Sequence, residues 1–223
     1  MYKHRTIMLK SLPVILGILG LLFGLSCYLL EKHAISNEWH YFYWAIFFVI
    51  QAIVGIAYGL LIRKLYHFVY TDSLTQLWNR KYFFETLKQE LRPPNANNDG
   101  FLCMLDMDNF KCINDTYGHQ AGDDALKTLA AVLQKNTHPT DVAARLGGDE
   151  FALLLRDATQ ETACTTAETI RQIVNSKLAK YNSTVSIGIV SSTAATSSDK
   201  LLALADEALY QAKVHKDCIV FSK

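Results

Sequence analysis

The chain has 223 residues, of which half are hydrophobic and 19% are charged, and its formal net charge is +1. This length accommodates one globular domain of ordinary size with a smaller appendage. The near-neutral charge excludes the basic field that a nucleic-acid backbone requires of its partner, and the five cysteines form no CxxC pair that would indicate a zinc site.

Two long uncharged runs occupy the first third of the chain, at residues 12–30 and 41–62. Each can cross the roughly 30 Å hydrocarbon core of a bilayer as a helix. The first run exceeds the apolar region of a cleaved signal peptide, which is usually about 7 to 15 residues, and no small-x-small cleavage motif follows it. We therefore predict that residues 1–70 form a membrane anchor with two transmembrane helices and a short connecting helix.

The orientation of this anchor follows from its flanking charges. Firm cations lie outside the two runs, at Lys3, Arg5, Lys10, Arg63 and Lys64. The loop between the runs has only Lys32, so the positive-inside rule predicts that both termini are cytoplasmic. A loop of this length cannot bury a core of its own, so an input signal must come from the bilayer, the spans or a partner protein.

The remainder of the chain, residues 71–223, has the pattern of a soluble domain. Apolar residues at helical spacing predict helices over residues 80–91, 122–135, 159–178 and 200–214. Short apolar runs predict strands over residues 101–105, 142–146, 151–155 and 184–190, with a further short strand at 218–221. Residues 106–121 between the first strand and the second helix are predicted to be a polar loop.

The core order of these elements is strand, helix, strand, strand, helix, strand. This order predicts an α/β (α+β) domain with the split βαβ arrangement of a ferredoxin-like sheet. The fold supports many unrelated activities, so the function has to be inferred from the site.

Two aspartates are predicted to meet at one end of this sheet. Asp106 follows a buried strand, and Asp149 lies at the turn of the adjacent hairpin. Either residue alone more often caps a turn, but two carboxylates on rigid strands can bind Mg²⁺ together with substrate phosphates. Gly147 and Gly148 would allow the backbone to approach a ligand closely, and a cation would relieve the repulsion between Asp149 and the adjacent Glu150.

Residues 145–151, RLGGDEF, resemble the signature of the GGDEF family of diguanylate cyclases. Four other stretches are similar to motifs of that family in the same order: 72–80 (DSLTQLWNR), 106–123 (DMDNFK, NDTYGH and GD), 185–189 (VSIGI) and 205–213 (ADEALYQAK). The resemblance covers residue 72 to the C-terminus and leaves the anchor unassigned. It implies a palm-like nucleotidyl cyclase domain that condenses two GTP molecules into cyclic di-GMP. Together with the predicted anchor, it predicts a protein of the bacterial inner membrane.

The resemblance also implies a role for individual residues. Asp106 and Asp149 would bind Mg²⁺ or Mn²⁺ with their side chains, and Met107 with its backbone carbonyl. Asp149 would help to deprotonate the 3′-hydroxyl, supported by Glu150. Lys111 is a further catalytic candidate, because it would stabilise charge on the phosphates.

The remaining implied contacts are with the nucleotide. Asn114 and Asp123 would bind the guanine edge, which would favour GTP over ATP. The other substrate-binding candidates are Asn109, Phe110, His119, Gly147, Gly148 and Lys213. Each domain would hold one GTP, so the resemblance implies that a homodimer is needed to present each 3′-hydroxyl to the other nucleotide.

The sequence departs from the family pattern at two places. Many relatives have an inhibitory RxxD motif where this chain reads His138-Pro139-Thr140-Asp141, so we predict weak or absent product inhibition at that site. Asp217 stands where a phosphate-binding cation is common, and Lys216 is the neighbouring cation. Two alternatives follow: a catalytically impaired GGDEF-like domain that binds GTP or docks a partner, and a membrane interaction protein.

Overall fold

A computed structural model describes residues 14, 17–29, 32, 40–91 and 100–222. The chain divides into two compact units, Met1–Val69 and Tyr70–Lys223. The predicted short connecting helix, the cations Lys3, Arg5 and Lys10, and the ends of the first predicted span lie outside the described residues.

The described residues of unit 1 include two apolar helices, α1 (Gly17–Leu29) and α2, which extends to the first residue of unit 2 (His40–Tyr70). Among the described residues, one helical segment is long and apolar enough to cross a membrane, the 27 residues Trp44–Tyr70 of α2. Its large apolar side chains are exposed, including Ile53, Ile56 and Leu60. The described part of α1 is apolar but shorter.

The two helices of unit 1 approach each other at small residues of α1. A Cβ atom added at Gly20 would lie 3.0 Å from Gln51 Oε1, and one added at Gly24 would lie 2.9 Å from a ring carbon of Phe47. Larger residues at these positions would therefore require the Gln51 and Phe47 side chains to shift. Gly20 and Gly24 thus form the GxxxG type of close helix contact within one chain.

Unit 2 is built on a six-stranded mixed sheet with the order β1-β3-β4-β2-β5-β6. The strands are β1 (Trp78–Asn79), β2 (Gly100–Met107), β3 (Val142–Gly147), β4 (Glu150–Arg156), β5 (Val185–Ser191) and β6 (Ile219–Phe221). The central strand β2 pairs antiparallel with β4 and β5, and β3 pairs antiparallel with β4. Strands β2 to β5 therefore form the predicted ferredoxin-like sheet, to which parallel pairings add β1 and β6 at the edges.

Helices cover both faces of this sheet and divide the core in two. The helices are α3 (Arg80–Glu90), α4 (Phe110–Tyr117), α5 (His119–Lys135), α6 (Gln160–Leu178) and α7 (Ser198–His215). Alternate residues of β2 serve the two faces, as the period of a strand requires. Leu102 and Met104 pack in the cluster that contains residues of α3 and α7, and Cys103 and Leu105 pack in the cluster that contains residues of α4, α5 and α6.

The segment predicted to be a polar loop after β2 contains a helix, α4 (Phe110–Tyr117), and α5 begins earlier than predicted. Of the residues of α4, Ile113 is buried. Asn, Asp and Thr have low helix propensity. A helix as short as α4 also gives little periodic signal in the sequence. The prediction of a loop here was wrong.

Helix α7 lies directly on β5 at Gly188. A Cβ atom added at Gly188 would lie 2.3 Å from the backbone nitrogen of Leu209 and 2.8 Å from the carbonyl oxygen of Ala205. A glycine is therefore needed for this close approach. The approach sets the position of the C-terminal end of α7, from which Lys213 reaches the site described next.

Candidate active site

Asp106 and Asp149 are brought together where β2 and β4 pair. Asp106 lies opposite Glu150 in the β2–β4 register, and the backbone N–H of Met107 donates a hydrogen bond of 3.3 Å to the carbonyl oxygen of Asp149. Asp106 is only 7% exposed, Asp149 is half-buried and Glu150 is exposed. Three carboxylates that are distributed over two sequence motifs therefore share one end of the sheet.

The surroundings of Asp106 disfavour its ionised form. Burial raises the pKa of Asp106 from 3.8 to about 6; the hydrogen bond from Lys213 opposes this rise, whereas the charges of Asp149 and Glu150 add to it. The Lys213 ammonium lies 2.5 Å from Asp106 Oδ1. The cluster therefore holds more negative charge than its one ion pair neutralises, which is the condition that a bound cation would relieve.

Asp108 lies two residues beyond Asp106 but has a structural role. Its carboxylate is 1% exposed and accepts hydrogen bonds from Thr184 Oγ1 at 2.7 Å, from Ser186 Oγ at 2.9 Å and from the backbone N–H of Asp217 at 3.0 Å. These bonds tie the end of β2 to β5 and to the segment after α7. Two aspartates that look alike in the sequence thus differ sharply in how their burial is compensated.

The glycine turn of the hairpin is held by Arg145. Gly148 has φ of 50°, in the left-handed region, and its carbonyl oxygen accepts two hydrogen bonds from the Arg145 guanidinium, at 3.0 and 2.7 Å. A third bond of 3.2 Å joins the guanidinium to Asp72. Burial alone would raise the pKa of Asp72, but hydrogen bonds from Thr75 and from Arg145 outweigh it and leave that pKa lowered.

Asp72 and Arg145 lie in sequence motifs, but the sequence predicts no role for either of them. Their contact spans 73 positions in the chain, so only the fold could reveal it. The link fixes the turn that carries Asp149 to the segment that precedes β1. Arg145 and Asp72 are therefore positioning residues for the candidate site.

The predicted nucleotide-binding residues follow β2 on and around α4. Asn109 adopts the left-handed conformation before α4 and donates a hydrogen bond to the carbonyl oxygen of Asn182. Asn114 packs against Gly122, where an added Cβ would lie 2.0 Å from Asn114 Oδ1. Gly122 thus makes room for the Asn114 side chain on the neighbouring helix α5, which also carries Asp123.

The remaining predicted contact residues are at least partly exposed. Lys111 and His119 are exposed, Phe110 and Asp123 are half-buried, and Gly147 and Gly148 are exposed at the turn. The residues predicted from the family motifs therefore lie on the β2–α4 segment, the start of α5, the β3–β4 turn and the end of α7.

Asp217, which stands where a phosphate-binding cation is common in the family, is bonded to helix α6. Its carboxylate accepts a hydrogen bond of 2.6 Å from Arg171 and one of 2.8 Å from Asn175, both on α6. Arg171 is also bonded to Glu168, and that contact lowers the pKa of Glu168 to about 2. The negative charge of Asp217 is thus neutralised in an ion pair with α6.

Comparison with known proteins decides the family. The sequence profile described as "Diguanylate cyclase, GGDEF domain" matches residues 69–217. The chain belongs to the GGDEF family. It is 37% identical over 162 residues to the probable diguanylate cyclase DgcT of Escherichia coli K12, covering 68% of this chain and 35% of that protein.

Two further similarities agree with this family. Diguanylate cyclase A of Treponema denticola is 39% identical over 153 residues, covering 64% of this chain and 41% of that protein. The solved structure of the GGDEF domain of DgcB from Caulobacter crescentus, in complex with c-di-GMP, has a TM-score of 0.62 and 32% identity and covers 69% of this chain and 95% of that chain. The chain spans between about a third and two fifths of the length of the two curated relatives. The mixed α/β fold of the GGDEF domain is therefore confirmed.

The candidate site fits a hard divalent ion of the kind that GGDEF diguanylate cyclases generally use. Among the described residues, no three His, Cys, Asp or Glu side chains form a group that could hold a metal by themselves. Mg²⁺ does not require such a cage, because it binds through one or two carboxylates together with waters and substrate phosphates. Asp106 and Asp149, whose combined negative charge the single ammonium of Lys213 does not balance, are the donor set expected for that mode of binding.

Proposed function

We propose that this chain is a membrane-anchored diguanylate cyclase, which condenses two GTP molecules into cyclic di-GMP and two pyrophosphates. The observation that carries the proposal is the buried carboxylate of Asp106, which is held against Asp149 and Glu150 at an electrostatic cost. Carboxylates that are buried close to other carboxylates are concentrated at functional sites. Membership of the GGDEF family supplies the class of reaction.

The proposed cofactor is Mg²⁺ or Mn²⁺, held by the side chains of Asp106 and Asp149 and the backbone carbonyl of Met107. When bound, the ion would offset the charge that develops on the phosphates. The contact between Met107 N–H and the Asp149 carbonyl keeps the two strands in register at this point. Glu150, opposite Asp106 in the sheet, would add a further carboxylate to the same cluster.

The proposed chemistry is attack of a 3′-hydroxyl oxygen on the α-phosphorus of the other GTP. The new O3′–P bond forms as the bond to the β-phosphate oxygen breaks, and pyrophosphate leaves. Asp149 would help to accept the hydroxyl proton, and Lys111 and Lys213 would balance charge on the phosphates. A second attack, in the opposite sense, closes the ring.

This reaction requires two copies of the domain, each holding one GTP. Bringing the two reactants together in one complex can lower the barrier by roughly 7 to 11 kcal/mol in favourable cases. We therefore propose that the homodimer is the active form. Relatives in solved structures bind c-di-GMP, as the DgcB domain does.

Guanine selection is proposed for Asn114 and Asp123, with His119 nearby on the same helix end. A carboxylate can accept from the ring N–H and exocyclic amine of guanine, whereas adenine lacks this pair of donors. The close packing of Asn114 on Gly122 restricts the position of its amide. The exposed Gly147 and Gly148 leave space for the nucleotide beside the turn.

The anchor is proposed to be two membrane spans with both termini in the cytoplasm. Support comes from the exposed apolar surface of α2 and from its contact with the apolar helix α1. This topology would place the GGDEF domain at the inner membrane, in contact with lipid, where a partner protein could act on the spans. Retention of the chain in membranes after an alkaline carbonate wash would test it, and release into the soluble fraction would overturn it.

The test of the activity uses the full-length chain in detergent, incubated with GTP and Mg²⁺, with products identified by mass spectrometry. We expect cyclic di-GMP from the wild type, no product from ATP, and a rate at least about 100-fold lower for Asp149→Ala. Asp199→Ala, which changes an exposed aspartate in the first turn of α7, is the matched control and should retain the rate. GTP binding without turnover would overturn the proposal in favour of a docking module.

A further inference from the structure

The backbone of Lys216, the residue that follows α7, is strained. Its φ of 56° and ψ of 160° lie in a region that glycine occupies almost exclusively. The next residue, Asp217, also has a positive φ, of 47°. Two consecutive residues with side chains thus adopt conformations that favour glycine, and a conformation of this kind persists only where its surroundings impose it.

Contacts on both sides of Lys216 impose this conformation. Its backbone N–H donates to the carbonyl oxygen of Ala212, which closes the end of α7. The following residue is fixed by its carboxylate, bonded to Arg171 and Asn175, and by its backbone N–H, which donates to buried Asp108. The chain therefore has to turn sharply at Lys216.

The turn directs the Lys216 side chain toward the segment between β2 and α4. Its ammonium lies 2.8 Å from Asn109 Oδ1, at the residue that precedes the first turn of α4. Lys213, one turn earlier on α7, reaches Asp106 at the end of β2. The two ammonium groups thus flank residues 106–109, which include the proposed metal ligands Asp106 and Met107 and the substrate-binding candidate Asn109.

The two lysines differ in their charge balance. Lys213 is paired with a carboxylate, whereas the partner of Lys216 is a neutral amide. Within the described part of the chain, no ion pair neutralises Lys216, and the adjacent Asp217 is committed to Arg171. An exposed ammonium held beside the start of a helix by a neutral oxygen is suited to an anion, because the helix dipole favours negative charge at the same place.

We propose that Lys216 binds the triphosphate of GTP and supplies the positive charge that Asp217 cannot. This inference rests on the proposed function, since it names a further residue of the same site. The backbone strain at Lys216 then arises because a cation is placed near the phosphates at a position whose conformation glycine would adopt without strain. Lys216 is a binding residue for the phosphates and takes no part in bond making.

The test separates the charge of Lys216 from its backbone strain. Lys216→Gly removes both, whereas Lys216→Gln removes the charge and keeps a side chain of similar length on the strained backbone. Binding of 3′-deoxy-GTP, which lacks the attacking hydroxyl and cannot condense, is measured by calorimetry on the full-length chain in detergent with Mg²⁺. GMP is measured in parallel, because it has the same base without the triphosphate.

We expect both variants to bind 3′-deoxy-GTP about tenfold more weakly than the wild type, the loss typical of one charge-assisted hydrogen bond. GMP affinity should stay within about twofold, and Lys216→Gly should unfold at a temperature equal to or above that of the wild type because it relieves the strain. Lys216→Arg keeps the charge and should retain most of the triphosphate affinity.

Unchanged affinity for 3′-deoxy-GTP in Lys216→Gly and Lys216→Gln would overturn the inference. An equal loss for 3′-deoxy-GTP and GMP would also overturn it, since a contact with the β- or γ-phosphate, which GMP lacks, cannot weaken both alike. In either case, cyclic di-GMP synthesis by the wild type would leave the proposed function intact. A wild type that neither binds GTP nor makes cyclic di-GMP would instead remove the proposed function itself.

Discussion

Replacing Asp106 by asparagine is expected to stabilise the metal-free protein while it abolishes activity. The rise of the Asp106 pKa from 3.8 to about 6 corresponds to about 3 kcal/mol, because one pKa unit is worth about 1.4 kcal/mol. The carboxyl stabilises the native state only while it holds its proton. That contribution is complete below pH 3.8 and is lost as the pH rises through 6. An amide at this position stays neutral and avoids the loss.

The measurement is urea-induced unfolding of the full-length chain in detergent with EDTA, at pH 4 and at pH 8. Relative to Asp106→Asn, the wild type should lose about 2 kcal/mol of unfolding free energy between these two pH values, since part of the loss has already occurred at pH 4. At pH 8 the variant should therefore be the more stable protein. A stability difference that does not change with pH, or a variant that is less stable at pH 8, would refute the reasoning.

Asp108→Asn provides the matched control, because Asp108 is buried two residues away. Its carboxylate accepts bonds from Thr184, Ser186 and the Asp217 backbone. An asparagine would direct its NH₂ group at one or more of these hydrogen-bond donors. This variant should therefore lose at least about 2 kcal/mol of stability at pH 8. At pH 8, Asp106→Asn should raise the free energy of unfolding and Asp108→Asn should lower it. These opposite changes would distinguish an aspartate that serves function from one that serves the fold.

Three further outcomes follow from the contacts of the site. Asp217→Asn should lower the unfolding free energy by about 1 to 2 kcal/mol in urea titrations, because it weakens a partly exposed ion pair with Arg171. Arg145→Lys should lower kcat about tenfold, measured as initial rates of cyclic di-GMP formation, since a lysine cannot bond Asp72 and the Gly148 carbonyl together. Added cyclic di-GMP should raise the apparent KM for GTP and leave kcat unchanged, because His138 offers no guanidinium fork for a separate product site.

A different result would contradict each of these three expectations. Asp217→Asn would contradict the ion-pair account if its urea midpoint matched that of Lys177→Gln, a change of a cation in the last turn of α6. Wild-type kcat in Arg145→Lys would show that the turn does not depend on the guanidinium. A fall in kcat with added product would indicate an inhibitory site around Asp141, whose carboxylate is bonded to the backbone N–H groups of His138 and Arg156.

Periodicity predicted the central sheet well, because each strand from β2 to β5 is an apolar run between clear turns. The hairpin β3–β4 and the order that gives the ferredoxin-like arrangement are both visible in the sequence. Helix α4 was missed, since Ile113 alone of its residues is buried. Strand β1 was also missed because it has only two residues and its ladder is formed with β3, a distant part of the chain.

The site residues could be named from motifs, but their contacts could not. The pairing of Lys213 with Asp106 depends on how closely α7 approaches β5 at Gly188, and such a distance is set by tertiary packing. Similarly, Asp217 looked like an unfavourable charge near phosphates because its partner Arg171 lies on another helix. Charges with distant partners cannot be assigned from neighbouring residues alone.

The most direct test of the account is Mn²⁺ binding to the full-length chain in the presence of 3′-deoxy-GTP, followed by the EPR signal of the free ion. Asp106→Asn and Asp149→Asn should each weaken Mn²⁺ affinity by at least about tenfold, because each removes one of the few carboxylates that such an ion would use. Asp199→Asn, which removes an exposed carboxylate in the first turn of α7, should not weaken it. Wild-type Mn²⁺ affinity in both aspartate variants would contradict the claim that these two carboxylates hold the metal against the nucleotide.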